Sequence, residues 1–430
     1  MKARHLQTRR EFLQKGLTLA AVTFTVPSFI TRTVFALNNP LDARATASMP
    51  GRPDDHILVI VQLGGGNDGL NTVVPYAHDE YYRRRPNLNI AKGELLRVND
   101  EIALHPSLKN LKAIHDEGRL AILQGVGYPN PNRSHFRSME IWQTASDSDK
   151  FEKYGWVGRY FDNQCPGCAE NASGAVSIGG WIPESFRAKT PMGIALQDPE
   201  SFQWNPSPTG VVPAKSENQL YQQLHRGPSV ASMAQDAPAN LDFLCRTALN
   251  AQVSSDKIRE VAKKYRSTIE YPNNYLATSL KLVAQMIAGN LGTKVFYVSH
   301  AGYDTHANQR GDHQRLLAEF ADSAHAFYRD IQKQGNTERV VVMCFSEFGR
   351  RVEENASGGT DHGSAAPMFV LGGKVKGGVY GAHPSLKELD RGDLKFHTDF
   401  RSVYATLLEN WMGGKSAPVL GREFKKLAFV

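Results

Sequence analysis

Short, dense apolar runs alternate along this chain with longer stretches of helical spacing. Ile57 to Leu63 (ILVIVQL) is apolar at every position but Gln62, and Val340 to Phe345 (VVVMCF) has no polar residue. Such runs are too short for a helix and apolar on both parities, so they read as strands covered on both faces, the pattern of a parallel sheet. Leu120 to Leu123, Lys294 to Val298 and Met368 to Leu371 belong to the same class. Between them, apolar residues recur every three or four positions. Leu108, Leu111 and Ile114 form one such stripe, and Leu276, Leu280, Val283, Ala284 and Ile287 another. A third is Leu316, Leu317, Phe320, Ala324 and Phe327; a fourth, Val403, Tyr404, Leu407, Leu408 and Trp411, follows Asp399, a good N-cap. Strand, helix, strand, helix predicts an α/β fold built on a doubly wound, mostly parallel sheet.

The pattern lapses in three places. From about 155 to 238 the texture turns to Pro, Gly, Asn, Gln and Trp, which predicts an irregular insertion over the sheet, with Trp181 and Trp204 free to stack on a sugar or to pack. Tyr76 to Asn99 is polar and reads as a surface loop, its Arg83-Arg84-Arg85 either solvated or framing an anionic substrate. At the N-terminus, Thr8-Arg9-Arg10-Glu11-Phe12-Leu13 precedes a modest apolar stretch, Gly16 to Ile30, interrupted by Pro27. A spanning helix needs about 20 predominantly apolar residues, so residues 1–36 read as a twin-arginine export leader, cleaved after Ala36 or, second, Ala45. Residues 37–55 would then be a linker and 56–430 a single α/β domain. The expected destination is the periplasm or outer face of a bacterial cell, reached through the twin-arginine export machinery, with no transmembrane segment in the mature chain.

Charge and cysteine content narrow the classes. Of the formal charge of +7, the first 36 residues carry +5, leaving +2 for the other 394. That balance gives no case for a nucleic-acid partner. Four cysteines are too few for a stapled scaffold. Cys165-Pro166-Gly167-Cys168 reads first as a local disulfide and second as a redox motif, while Cys245 and Cys344 fall in core patterns. Haem and iron–sulfur spacings are absent.

Chemistry gathers where strands end. Ile57 to Leu63 runs into Gly64-Gly65-Gly66-Asn67-Asp68-Gly69, whose spacing fits neither dinucleotide nor P-loop signatures but lets Asn67 and Asp68 face a crevice. The second strand leads to Ser134 and His135, the strand at 294–298 to Asp304 and His306, and the valine-rich strand to Glu347, Arg350 and Asp361-His362. Parallel strand ends share one edge of a sheet. Carboxylates mixed with imidazoles suit zinc, manganese or iron better than calcium. Asp68, Asp304, His306, Asp361 and His362 are therefore candidate metal ligands, with His383 and His397 as possible late additions. Ser134, at a helix start, is a nucleophile or a plain N-cap; Arg350 binds an oxyanion or pairs with Glu347. Each residue also has an ordinary reading, as a hydrogen-bonded core histidine or a turn aspartate.

The order of motifs adds a resemblance. The twin-arginine leader, GGGNDGLNTVVP (64–75), NRSHFRSMEIW (132–142), GYDTHANQ (302–309), FSEFGR (345–350), GGTDHG (358–363) and TDFRSVYATLLENWMG (398–413) resemble the bacterial family labelled domain of unknown function 1501, over nearly the whole chain. That family looks like a distant branch of the alkaline phosphatase and sulfatase superfamily. The resemblance implies an alkaline phosphatase-like fold, with Asp68 or Asn67 as the first-strand ligand. It implies Asp361 and His362 as an Asp-His ligand pair, Asp304 and His306 as another metal segment, His383 as a late ligand and Ser134 as the nucleophile. The sulfatase maturation motif Cys/Ser-x-Pro-x-Arg is absent, and the superfamily's metal segment spaces its Asp and His four apart rather than two. The expected function is an exported metal-dependent hydrolase of phosphate or sulfate esters, using a divalent metal, zinc or manganese. In it Ser134 or a water attacks while the metal and Arg350 stabilise the oxyanion. The alternative is a non-enzymatic periplasmic binding or assembly protein on a degenerate phosphatase-like scaffold.

Overall fold

A computed structural model describes residues 56–164, 174–189, 193–199 and 258–430. The expected leader, most of the linker, Cys165, Cys168, Cys245, Trp204 and much of the 155–238 stretch lie outside the described residues. In chain order the strands are β1 (Ile57–Gly64), β2 (Val73–Val74), β3 (Leu96–Arg97), β4 (Ala103–Leu104), β5 (Leu120–Gly127) and β6 (Ala175–Ile178). They continue as β7 (Ile194–Leu196), β8 (Val295–Ala301), β9 (Val340–Phe345), β10 (Ala366–Gly372), β11 (Gly378–Tyr380) and β12 (Thr398–Asp399). The helices are α1 (Gly69–Thr72), α2 (Asp79–Arg84), α3 (Lys109–Asp116), α4 (His135–Thr144) and α5 (Trp156–Gln164). After them come α6 (Tyr275–Ala288), α7 (Gln309–Lys333), α8 (Phe400–Thr406) and α9 (Ser416–Leu420).

The main sheet runs β11-β5-β10-β9-β1-β8-β6-β7, with β12 also on β5. β1 is central and pairs in parallel with β8 (Leu58↔Val295) and β9 (Ile57↔Val340). β10 runs antiparallel to both its neighbours, β9 and β5. Successive residues of a strand point to opposite faces, and both faces are covered. Val59, Val61 and Leu63 of β1 pack with α3, α6 and α7 side chains such as Leu111, Leu280 and Phe320. Leu58 and Ile60 pack on the other side with Trp142, Trp156, Tyr404 and Trp411. This three-layer burial is why the strands are apolar on both parities. Asp399 caps α8 by accepting from the Arg401 N–H at 2.9 Å, as its position predicts.

Two expectations change. Part of the stretch read as an irregular insertion is regular: α5 packs in the core, and β6 and β7 extend the main sheet beyond β8. Strands of four and three residues are too short to show a period among prolines and glycines. The polar stretch 76–99 also holds structure, namely α2 and β3, which joins β2 and β4 in a small separate sheet. Its arginine trio does not frame a cleft. Arg83 pairs with Glu80 and Arg84 with Glu353, while Arg85 turns inward and is fully buried. Among the described residues, no helix is long and apolar enough to cross a membrane.

Candidate functional site

The exits of β1, β8 and β9 lie side by side, and hydrogen bonds between their loops hold them there. Ser346 Oγ donates to the Leu63 carbonyl at 2.7 Å and accepts from the Asn67 N–H at 2.8 Å. The Tyr303 N–H donates to the Gly64 carbonyl at 3.1 Å. Glycine makes so close an approach possible. A Cβ on Gly65 (φ +118°) would stand 2.4 Å from the Asp304 nitrogen, and one on Gly66 (φ +79°) 2.3 Å from the Phe348 ring. Helix α4 is fixed to the same edge by Ser138, whose hydroxyl donates to the Glu347 carbonyl at 2.5 Å. That contact sets His135, the first residue of α4, beside the Glu347 carboxylate.

Four side chains converge. Asp304 Oδ1 lies 3.0 Å from His306 Nε2 and 3.0 Å from His362 Nε2, which are themselves 2.9 Å apart. His135 Nε2 reaches Asp304 Oδ2 at 3.4 Å, and His135, Asp304 and His362 each offer an atom within 4.8 Å of the others. The other imidazole nitrogens face outward to acceptors: His135 Nδ1 to Glu347 Oε1 (2.9 Å), His362 Nδ1 to the Arg133 carbonyl (2.8 Å) and His306 Nδ1 to Asp361 Oδ1 (3.4 Å). A ring that donates from Nδ1 keeps its Nε2 lone pair. Lone pairs and a carboxylate therefore meet, and the donors among them come from one guanidinium: Arg350 Nη2 at 2.7 Å from Asp304 Oδ1 and Nη1 at 3.5 Å from His306 Nε2. Such a set of donor atoms can hold a cation. Ligand bonds of about 2.0–2.1 Å arranged tetrahedrally put neighbouring donor atoms about 3.3 Å apart, close to the 2.9, 3.0 and 3.0 Å edges found here. Asp304 with His306 and His362, each imidazole oriented by an outer acceptor, is a donor set that fits zinc or manganese, and His135 stands beside it on the other carboxylate oxygen.

The electrostatics agree with that arrangement. Burial would raise the Asp304 pKa, but the Arg350 guanidinium hydrogen-bonded to it outweighs that and brings it to about 2, so the carboxylate stays ionised. The Glu347 hydrogen bond raises the pKa of His135, making that imidazole a stronger base. Asp361 is lowered by its hydrogen bond from Asn355 and then by His306.

The remaining expected site residues fall elsewhere. Asp68 is fully buried below the cluster, where its Oδ2 accepts from Arg85 Nη1 and Gln309 Nε2, both at 2.5 Å. Burial would raise its pKa, but Arg85 outweighs that and holds it low. Asn67 accepts from His313 Nε2 at 2.9 Å rather than facing the crevice. Asp361 stands behind His306. His383 donates from Nδ1 to the Pro384 carbonyl at 2.8 Å and stacks near His78, away from the cluster. Ser134 occupies the N-cap position of α4, but its side chain makes no capping bond and is exposed. Arg350 pairs with Asp304 rather than Glu347, and its other donors go to the carbonyls of Gly65, Gly66, Tyr303 and Thr360. A guanidinium so committed braces the loops. Two participants, His135 and Glu347, stand at strand exits that the sequence marks, though neither is among the expected ligands or catalytic residues.

A cleft of about 1160 Å³ opens from the cluster, with His135, Asp304 and Glu347 at one end.

The sequence model of the family described as "Protein of unknown function (DUF1501)" matches residues 55–412. No curated protein matches the chain. Among solved structures, the PsFucS1 sulfatase from Pseudoalteromonas sp. is similar at 11% identity and a TM-score of 0.37, over 87% of this chain and 74% of that one. A protein in the alkaline phosphatase superfamily from Vibrio parahaemolyticus is similar at 10% identity and a TM-score of 0.37, over 96% and 79%. A TAB5 alkaline phosphatase mutant with Mg bound is similar at 11% identity and a TM-score of 0.33, over 76% and 94%.

Proposed function

We propose that this chain, which belongs to the DUF1501 family, is a metal-dependent hydrolase of phosphate or sulfate esters. One observation carries the reading: three histidines, each held at Nδ1 by an acceptor, turn Nε2 toward one ionised aspartate. Asp304, His306 and His362 would hold the divalent ion, zinc or manganese. Bound there, the ion would polarise an ester oxygen and lower the pKa of a water.

The chain's own residues supply the rest. Asp304 stays ionised because Arg350 is fixed against it. His135, made basic by Glu347 and lining the cleft, is placed to take the proton of an attacking water. Among the described residues, no hydroxyl or thiol side chain lines that cleft, so water is the nucleophile on this reading and Ser134 only begins α4. The tests separate holding from reacting. Purified, chelator-stripped protein should regain about one zinc or manganese per chain, and His362→Ala should lose it. His135→Gln should keep the metal yet lower turnover of phosphate or sulfate esters on the order of 100-fold or more. A wild-type protein that takes up no metal under elemental analysis overturns the reading.

The second reading is a non-enzymatic periplasmic binding or assembly protein on this scaffold, supported by the largely apolar lining of the cleft beside the cluster. Metal uptake without turnover of any phosphate or sulfate ester would select it. Either way, the Arg9-Arg10 leader supports twin-arginine export to an extracytoplasmic site. Replacing both arginines by lysine should shift the protein from the periplasmic to the cytoplasmic fraction; an unchanged distribution would remove that assignment.

A further inference from the structure

The cleft is built unlike a receptor for a small inorganic ester. Beside His135, its apolar lining takes in Phe136 and Met139 of α4 and, from the stretch after β6, Trp181, Ile182 and Phe186. Phe136, in α4, is 91% exposed, and Trp181, in the bend after β6, is 44% exposed. Large rings left in water cost free energy unless something covers them. Trp181 is held edge-on to Tyr297 with ring centroids 5.9 Å apart, so its orientation is set before any ligand arrives.

Charge narrows the occupant. The one Arg or Lys in the lining, Arg187, is paired with Glu184 at 3.1 Å, and Glu140 is paired with Arg137 at 2.8 Å. No unpaired cation faces the cleft among the described lining residues, and the Glu347 and Asp304 carboxylates at the cluster end are themselves paired with His135 and Arg350. A polyanion would find no free cation among these residues to pair with along the cleft. The volume, about 1160 Å³, exceeds what one phosphate or sulfate group fills and matches a ring-bearing organic molecule.

We infer that the apolar wall of Phe136 and Trp181 selects esters of uncharged, ring-bearing alcohols, holding the leaving group by its flat face. Nucleoside polyphosphates and polysulfated polymers are excluded by the same wall. This inference rests on the ester-hydrolase reading for its chemistry, but the wall can be tested without it.

Naphthol in its neutral form is the probe, and its binding to metal-free protein is followed by its own fluorescence. Wild type should bind it with or without added metal. Phe136→Ser combined with Trp181→Ala should weaken binding about tenfold or more. Phe151→Ser, an exposed ring outside the cleft lining, should leave it unchanged. ATP should not compete. Absence of binding to wild type, or binding that survives the double substitution in a protein with an unchanged melting curve, overturns the inference. Naphthyl phosphate and naphthyl sulfate complete the set. Binding of naphthol without turnover of either ester sinks the hydrolase reading and leaves the wall standing.

Discussion

Gln309 touches none of the converging atoms, yet its side chain joins the two loops that carry them. Its Oε1 accepts from Thr305 (3.1 Å), which lies between Asp304 and His306, and from Thr360 (2.6 Å), which precedes Asp361 and His362. Its Nε2 donates to Asp68, whose charge is held by Arg85. Gln309→Met keeps the volume and removes all three bonds. It should weaken metal binding roughly tenfold to a hundredfold and cost about 1–3 kcal/mol through the polar groups left unpaired. Chelator competition measures the first and urea unfolding the second; an affinity equal to wild type would remove the role. At this scale the sequence was partly legible. Asp304 and His306 stand three and five residues past the end of β8, and His362 four residues before the start of β10, and that position brings them together. Asp68 has the same chemistry and a similar position. Its partner Arg85 comes from a polar stretch without periodicity, so nothing in the sequence marked it as structural. His383 also follows a strand, three residues past β11, but β11 is an edge strand well away from β1 in the sheet order.

Among the elements, the long strands were readable because both their faces are buried, which leaves an unbroken apolar run. Direction was not readable. β10 is as apolar as β9 but runs antiparallel to it, and a buried strand shows the same pattern either way. The reversal matters for the site. Because the chain turns back after β9, the loop carrying Asp361 and His362 is tied at both ends to adjacent strands. Arg350 and His362 even form a bridge across it, and the Gly363 N–H donates to the Gly349 carbonyl at 2.8 Å. β6 and β7 escaped notice for the opposite reason, being too short for any period to show.

Taken as a whole, the molecule buries three imidazoles that must stay neutral. Burial lowers the pKa of His105 to about 3 and those of His313 and His383 to about 4. His105 Nδ1 accepts from the Ser107 N–H at 3.0 Å, a bond that protonation would break. In the unfolded chain these groups titrate near their ordinary value of about 6.5. Between that value and about 4 the unfolded state holds more protons, so stability falls as pH drops through this window, by up to a few kcal/mol per group. Urea midpoints at about pH 7 and about pH 4.5 should show the loss, and His313→Gln should reduce the difference. A midpoint flat across that interval would contradict the burial of these rings.

The central position of β1 has a consequence for how the chain is made. Its partners begin at Val295 and Val340, so a nascent polypeptide has synthesised more than two thirds of its length before the first partner exists. Until then an almost wholly apolar segment waits in the open, vulnerable to aggregation and in need of a chaperone. Closure of the sheet and assembly of the histidine cluster are thus late events on the same clock, because His306 and His362 emerge only with the strands that complete β1.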